Sequence, residues 1–128
     1  MTRFTEYALR ALICLAERPD RICSISEIAT AIGAPHDHLS KVVHRLGKTG
    51  YVTGLRGRSG GIVLARPPDQ IKLGAIVKDM EPCTAFRQAS PAAIDTSPLQ
   101  EALAQSLDMF FAALDRYSLK DLADHQSD

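Results

Sequence analysis

The chain has 128 residues, 45% of them hydrophobic and 23% charged, and its formal net charge is zero. These values fit one folded domain, and no apolar run approaches the roughly 20 residues needed to span a membrane. The zero conceals two unlike halves: residues 1–66 hold ten Lys/Arg and five Asp/Glu, residues 67–128 the reverse, so overall neutrality does not exclude nucleic acid as a partner.

Near the start, Arg3, Glu6 and Arg10 interrupt any apolar core of a signal peptide, which points to a cytoplasmic protein. The three cysteines, Cys14, Cys23 and Cys83, show no CxxC spacing. An odd number in that setting argues against a disulfide framework.

The spacing predicts a first helix over 2–17, with Phe4, Ala8, Ala11, Leu12 and Leu15 on its apolar face and Tyr7 and Ile13 widening it. Cys14 falls inside this run as a small buried residue. Ser24-Ile25-Ser26-Glu27 reads as a capping box, with the serine oxygen accepting from the backbone and the glutamate reaching back. It opens a short helix over 25–32, closed by Gly33.

A second helix follows at Pro35 and runs to Gly50. Leu39, Val42, Val43 and Leu46 recur at the spacing of one buried face, and His38, Lys41, His44, Arg45 and Lys48 fall on the remaining surface. Helix, glycine turn, helix is the helix-turn-helix arrangement, which also occurs in domains that never touch DNA. The second helix is the candidate recognition helix, with His36, Asp37, His38, Ser40 and Lys41 toward base edges.

Two β-like runs, 51–55 and 62–64, then flank Arg56-Gly57-Arg58-Ser59-Gly60-Gly61. Glycines let a backbone approach closely, and arginine forks fit phosphate oxygens or a narrow minor groove. A polar helix followed by a hairpin with a basic tip is what a winged helix-turn-helix needs to enter one groove and grip the backbone beside it. The predicted DNA contacts are His36, His38, Ser40, Lys41, Arg45, Lys48, Arg56 and Arg58.

Residues 65–70 form a linker, and 71–81 another helix with Leu73, Ile76, Val77 and Met80 inward. Prolines at 82, 91 and 98 mark 83–98 as a loop. The longest helix is predicted over 99–117, with Leu99, Leu103, Leu107, Phe110, Phe111, Leu114 and Tyr117 in a strip broad enough for two copies to cover each other. Ser118-x-x-Asp121 caps a last turn over 119–122. The expected fold class is mainly α: a winged helix-turn-helix with a two-stranded wing and a long C-terminal dimerisation helix. Its organisation is 1–66 for DNA, 67–98 as linker helix and sensor-type loop, and 99–128 for dimerisation, all in one integrated domain.

The segments FTEYALRAL, SISEIA, HLSKVVHRLGKTGYVTGLRGRSGGIVLARP and LDRYSLKDL together resemble the Rrf-two family of bacterial transcription regulators, and within it the nitric-oxide-sensing repressors. The likeness covers nearly the whole chain, and its most specific part is GYV…RGRSGGI…LARP. It implies a homodimeric winged-helix repressor on a palindromic operator in double-stranded DNA, with the long C-terminal helices paired. In cluster-binding members the loop before the long helix holds an iron–sulfur cluster through three cysteines, and some members add an acid from the first helix of the other subunit.

This sequence departs from that pattern. The last family cysteine corresponds to Ser97, just before Leu99-Gln100-Glu101-Ala102-Leu103, and FRQASPAAID contains no cysteine. Cys83 is the one thiol near the loop, and Glu6 matches the acidic position. Such clusters are held chiefly by thiolates, commonly four, so Glu6, Cys83 and Ser97 form at most a degenerate site. The expectation is no stable cluster and no assigned metal, unless the loop serines stand where cysteines belong. Two other readings stay open: a protein–protein adaptor on the same fold, or a cluster-binding sensor. No nucleophile–base–orienter set points to an enzyme.

Overall fold

The computed structural model describes residues 2–55, 60–81 and 98–126, with 125 and 126 as backbone alone. Among these, the elements run α1 (Arg3–Ala16), α2 (Ile25–Ile32), α3 (His36–Lys48), β1 (Val52–Leu55), β2 (Gly61–Leu64), α4 (Leu73–Met80), α5 (Pro98–Leu114) and α6 (Leu119–Gln126), with a short 3-10 turn at Pro68–Gln70. No helix of the described residues is long and apolar enough to cross a membrane.

Helix α1 is the element around which α2, α3, α4 and α6 pack. Thr2 caps it, its hydroxyl accepting from the Thr5 amide at 3.2 Å. The predicted face is buried: Ala8, Ala11, Leu12 and Leu15 all lie inside, and Cys14 lies with them. Each fully buried leucine contributes about 1.5–3 kcal/mol of apolar burial, and the two alanines leave room for neighbouring helices.

At α2, half of the expected capping box forms. The Ser24 hydroxyl accepts from the Glu27 amide at 3.1 Å. The Glu27 carboxylate does not reach back; it pairs with the Arg21 guanidinium instead. A full positive charge attracts the carboxylate more strongly than a neutral amide does. Gly33 ends the helix with φ at 72°, the left-handed cap that glycine adopts without a Cβ penalty.

On α3, Leu39, Val42, Val43 and Leu46 are buried, as their spacing requires. Gly50 follows with φ at 86° and turns the chain into an antiparallel hairpin. Its register pairs Val52 with Leu64 and Leu55 with Gly61. A third segment joins the sheet that local pattern did not reveal: Cys23 and Ile62 exchange two backbone hydrogen bonds, at 3.1 and 2.8 Å. Gly61 permits this approach, since a Cβ there would sit 2.3 Å from the Cys23 carbonyl oxygen.

Helix α4 buries Leu73, Ile76, Val77 and Met80. It is shorter than predicted because its leading residues are used elsewhere: the Leu119 amide donates to the Ile71 carbonyl, and the Leu73 amide to that of Tyr117, both at 3.0 Å. The same pairing stops α5 at Leu114 rather than at Tyr117. Phe111 is buried against α4, where Gly74 lies so close that a Cβ would sit 2.9 Å from the Phe111 carbonyl oxygen. Leu99, Leu103, Phe110 and Tyr117 stay exposed, and Met109 joins them, so the predicted strip is split between core and surface. Ser118 and Asp121 form the expected reciprocal cap, at 2.9 and 3.3 Å, but α6 continues to Gln126.

Candidate nucleic-acid interface

With its apolar face turned inward, α3 presents Asp37, Lys41, His44 and Lys48 along the side opposite the core; all four are exposed. This follows from the 3.6-residue period once Leu39, Val42, Val43 and Leu46 are fixed inside. Lys41, His44 and Lys48 are three nitrogen-bearing side chains on successive turns. His44 belongs to this outer row. Lys48 and Arg45 also lie in the last turn of the helix, where cations are favoured by its dipole.

The remaining predicted residues sit on the shoulders of the helix. Ser40 is half-buried, whereas His36 and His38 are exposed. His36 borders an open groove with Ser26, Thr30 and Gly33 on the helix-turn-helix turn. His38 leans toward α1, its ring 6.4 Å from that of Tyr7 and tilted by 51°. Arg45 points toward α4, donating from Nη2 to the Asp79 carbonyl at 2.9 Å. It therefore has a role in holding α3 to α4, whatever else it touches.

Beside His38, a cleft of about 270 Å³ is lined by Arg3, Phe4, Tyr7, Lys41 and Val42. Arg3 is thereby placed next to Lys41, a neighbour that helical periodicity cannot reveal because the two lie on different helices. Arg56 and Arg58, at the tip of the hairpin, lie outside the described residues.

The base of the interface is held by Tyr51, which is 2% exposed. Its hydroxyl donates to the Asp79 carboxylate at 2.5 Å, and the Arg66 guanidinium lies 4.6 Å from its ring centroid. Burial pushes the phenol pKa well up, and the Asp79 carboxylate adds to the shift. The phenol stays protonated and keeps its donor at neutral pH. The start of the hairpin is thus tied to α4 just beyond the end of α3.

A family model described as an iron-dependent transcriptional regulator, Rrf2, matches residues 1–125. The chain belongs to the Rrf2 family. Among solved Rrf2 structures, it is 29% identical to CymR, the global cysteine regulator of B. subtilis, with a TM-score of 0.78 and coverage of 98% of this chain and 96% of that one. It is 25% identical to IscR of T. potens, with a TM-score of 0.82 and coverage of 98% and 87%. CymR of Staphylococcus aureus is 27% identical, with a TM-score of 0.75 and coverage of 95% and 96%. The chain is therefore a winged-helix transcriptional regulator of the Rrf2 family, a family of regulators rather than enzymes. The match is to the family as a whole, and the neighbours named here are two CymR proteins and an IscR.

An iron–sulfur cluster in this Rrf2 chain would need thiolates. Of the three cysteines in the sequence, Cys14 is 5% exposed and Cys23 0%. Both are built into the core between α1 and the hairpin. Burial raises the Cys14 thiol pKa, outweighing the neighbouring Arg18. Only Cys83 is left for the loop, and it lies outside the described residues, as does Ser97. Glu6 is exposed on the first turn of α1. One thiol and one carboxylate per chain do not fit a thiolate-held cluster.

Proposed function

We propose that this Rrf2 chain is a homodimeric, sequence-specific repressor that reads a palindromic operator in the cytoplasm, with its cluster site lost or altered. The single observation that carries this reading is the outer row of α3, where Lys41, His44 and Lys48 face away from a fully packed apolar side. A helix held this way can lie in a major groove while its cations meet the flanking backbone.

Within this reading Ser40, Lys41 and His44 face base edges. His36 and His38 flank them, and Lys48, Arg45 and Arg3 approach phosphates. Arg56 and Arg58 serve the wing. Two copies joined through α5 would present two recognition helices roughly 34–36 Å apart, one turn of B-DNA, or a multiple of it. The apolar residues exposed on α5 support that pairing. Loss of the thiolate set leaves the family's nitric-oxide and iron–sulfur responses without a cluster to act through, so the inducing signal acts elsewhere on the molecule.

Mobility-shift titrations test this on fragments of the promoters nearest the gene. Wild-type protein is expected to bind one fragment far more tightly than the ~10⁻⁴–10⁻⁶ M of nonspecific binding. Lys48→Ala should weaken binding to all duplexes and reduce the salt slope by about one. Ser40→Ala should change the preference among operator variants instead. Binding that shows no sequence preference in any fragment would defeat the proposal.

A further inference from the structure

The end of the hairpin opposite its tip carries a different kind of site. Strand β2 leaves the sheet at Leu64, at the foot of the register that starts from Gly61 near the tip. Between residues 63–68 and the end of α1 lies a cleft of about 290 Å³. Arg18 and Arg21 line it from one side and Arg66 from the other, over an apolar floor that includes Leu15 and Leu64. No aspartate or glutamate is among its described lining residues.

The three guanidiniums are engaged differently. Arg21 is paired with the Glu27 carboxylate. Arg18 is held by neutral groups: its Nη1 donates to the Cys14 carbonyl oxygen and meets the Cys14 Sγ, each at 3.1 Å. Arg66 is held over the face of buried Tyr51, 4.6 Å from the ring centroid. The Arg18 contacts are with neutral groups and Arg66 rests on an aromatic face, and a guanidinium carries five N–H donors in all, more than these contacts occupy. Pro19, Pro67 and Pro68 also line the cleft and fix the backbone of its walls, so little ordering is needed when a ligand enters.

We propose that this cleft binds a small anion bearing carboxylate or phosphate groups, held between the forks of Arg18 and Arg66. Planar guanidinium forks match the paired oxygens of both groups. The cleft's size falls at the small end of metabolite pockets, which begin near about 300 Å³. No residue of α3 lines it, so the site is separate from the proposed DNA surface. A bound anion would join the α1–α2 connection to the exit of β2, close to the Cys23–Ile62 hydrogen bonds. The foot of the wing would then be clamped from both sides. The inference stands whether or not the chain reads an operator.

The test is an amide NMR titration of the full chain at constant ionic strength, with inorganic phosphate in one arm, citrate in a second and chloride as the control. Saturable shifts at Arg18, Ala65 and Arg66 are expected in at least one of the first two arms, and the responding arm identifies the oxyanion class. Arg66→Gln should weaken the response about tenfold, the loss of a charge-assisted hydrogen bond. Because that variant also loses its contact with Tyr51, Arg18→Lys provides the second reading. It keeps the charge and the stem but loses the fork, and the response should weaken here too. Shifts confined to α3, shifts equalled by chloride, or an Arg18→Lys variant that titrates like wild type would each overturn the proposal.

Discussion

The buried hydroxyl of Thr5 donates to the carboxylate of Glu81, 76 residues further along the chain. The same carboxylate accepts from the Thr2 amide at 3.1 and 3.2 Å and from the Thr2 hydroxyl at 3.2 Å. The start of α1 is thereby fastened to the residue that ends α4. Thr5 is 0% exposed, and its hydroxyl has a charged acceptor in place of water. Burial alone would raise the Glu81 pKa, but the bonds from Thr5 and Thr2 together hold it below the ordinary carboxylate value.

A carboxylate whose folded pKa is depressed stabilises the fold above its unfolded pKa, and that contribution fades as pH falls through the folded value. Glu81→Gln keeps the shape and removes the charge. It should cost about 1.5–2 kcal/mol at neutral pH, the low end of the range for a hydrogen bond to a charged group. Urea melts from pH 7 down to pH 3 should show the variant and wild type converging at the acid end. A gap that stays constant across this range would mean that ionisation of Glu81 is not what fastens α1 to α4.

Gly61 is the second place where one atom decides the packing. Its φ is not in the left-handed region, so the demand is for space rather than for backbone freedom. A methyl group would meet the Cys23 carbonyl oxygen at 2.3 Å and its carbon at 2.7 Å, and both are backbone atoms that a rotamer change cannot move. Gly61→Ala should therefore destabilise the fold by about 2–3 kcal/mol, as overpacking does. It should also speed amide exchange at Cys23 and Ile62. Gly54→Ala, on the same hairpin with open space around the added atom, is the control and should change little. Equal melting temperatures for the two variants would show that the Cys23–Ile62 pairing is dispensable.

The contrast between these contacts and the helices explains what the sequence could disclose. The inward faces of α3 and α4 were legible because Leu39, Val42, Val43 and Leu46, and then Leu73, Ile76, Val77 and Met80, repeat with the helical period. The outward position of Lys41 and Lys48 follows from the same period. Thr5–Glu81 and Cys23–Ile62 join residues far apart in sequence, and no local pattern encodes such pairs. Arg45 is a candidate DNA contact because it is basic and on the surface, and no local pattern announces its additional hydrogen bond to a carbonyl of α4. Tyr117 continued an apolar strip, but its backbone was needed by Leu73. Arg56, Arg58, Cys83 and Ser97 lie outside the described residues, so the wing tip and the loop keep their sequence-based assignments.

The thiols give a chemical check on the proposal that no stable cluster forms. Cys14 and Cys23 are both buried and so shielded from reagents, and burial also raises the Cys14 pKa, which leaves little thiolate at Cys14 at neutral pH. Brief treatment with iodoacetamide at pH 7.5 should leave both unmodified in the native protein, and urea should expose both, as read by peptide mass. Anaerobic incubation with iron and sulfide should likewise give no stable absorbance band in the visible. Rapid native labelling of Cys14, or a brown product that survives desalting, would show that the donor set is larger than the sequence offers.

Helix α5 carries the last prediction. Leu99 is 70% exposed and Met109 74%, with Leu103 and Phe110 both at 43%. These four large apolar side chains lie on one helix whose buried contact to α4 runs through Phe111. Contiguous exposed apolar surface is the usual mark of an interaction site, and two such helices laid together would cover these side chains. Leu103→Asp places a charge in that seam without touching Phe111, so the protomer should fold normally. Sedimentation should show wild type as a dimer and the variant shifted to monomer at micromolar concentration. Affinity for a two-half-site duplex should then fall toward that for a single half-site, because the second helix is no longer held at a fixed spacing. A variant that remains dimeric would place the pairing surface away from α5. One that becomes monomeric yet binds the full site as tightly as wild type would separate dimerisation from DNA recognition.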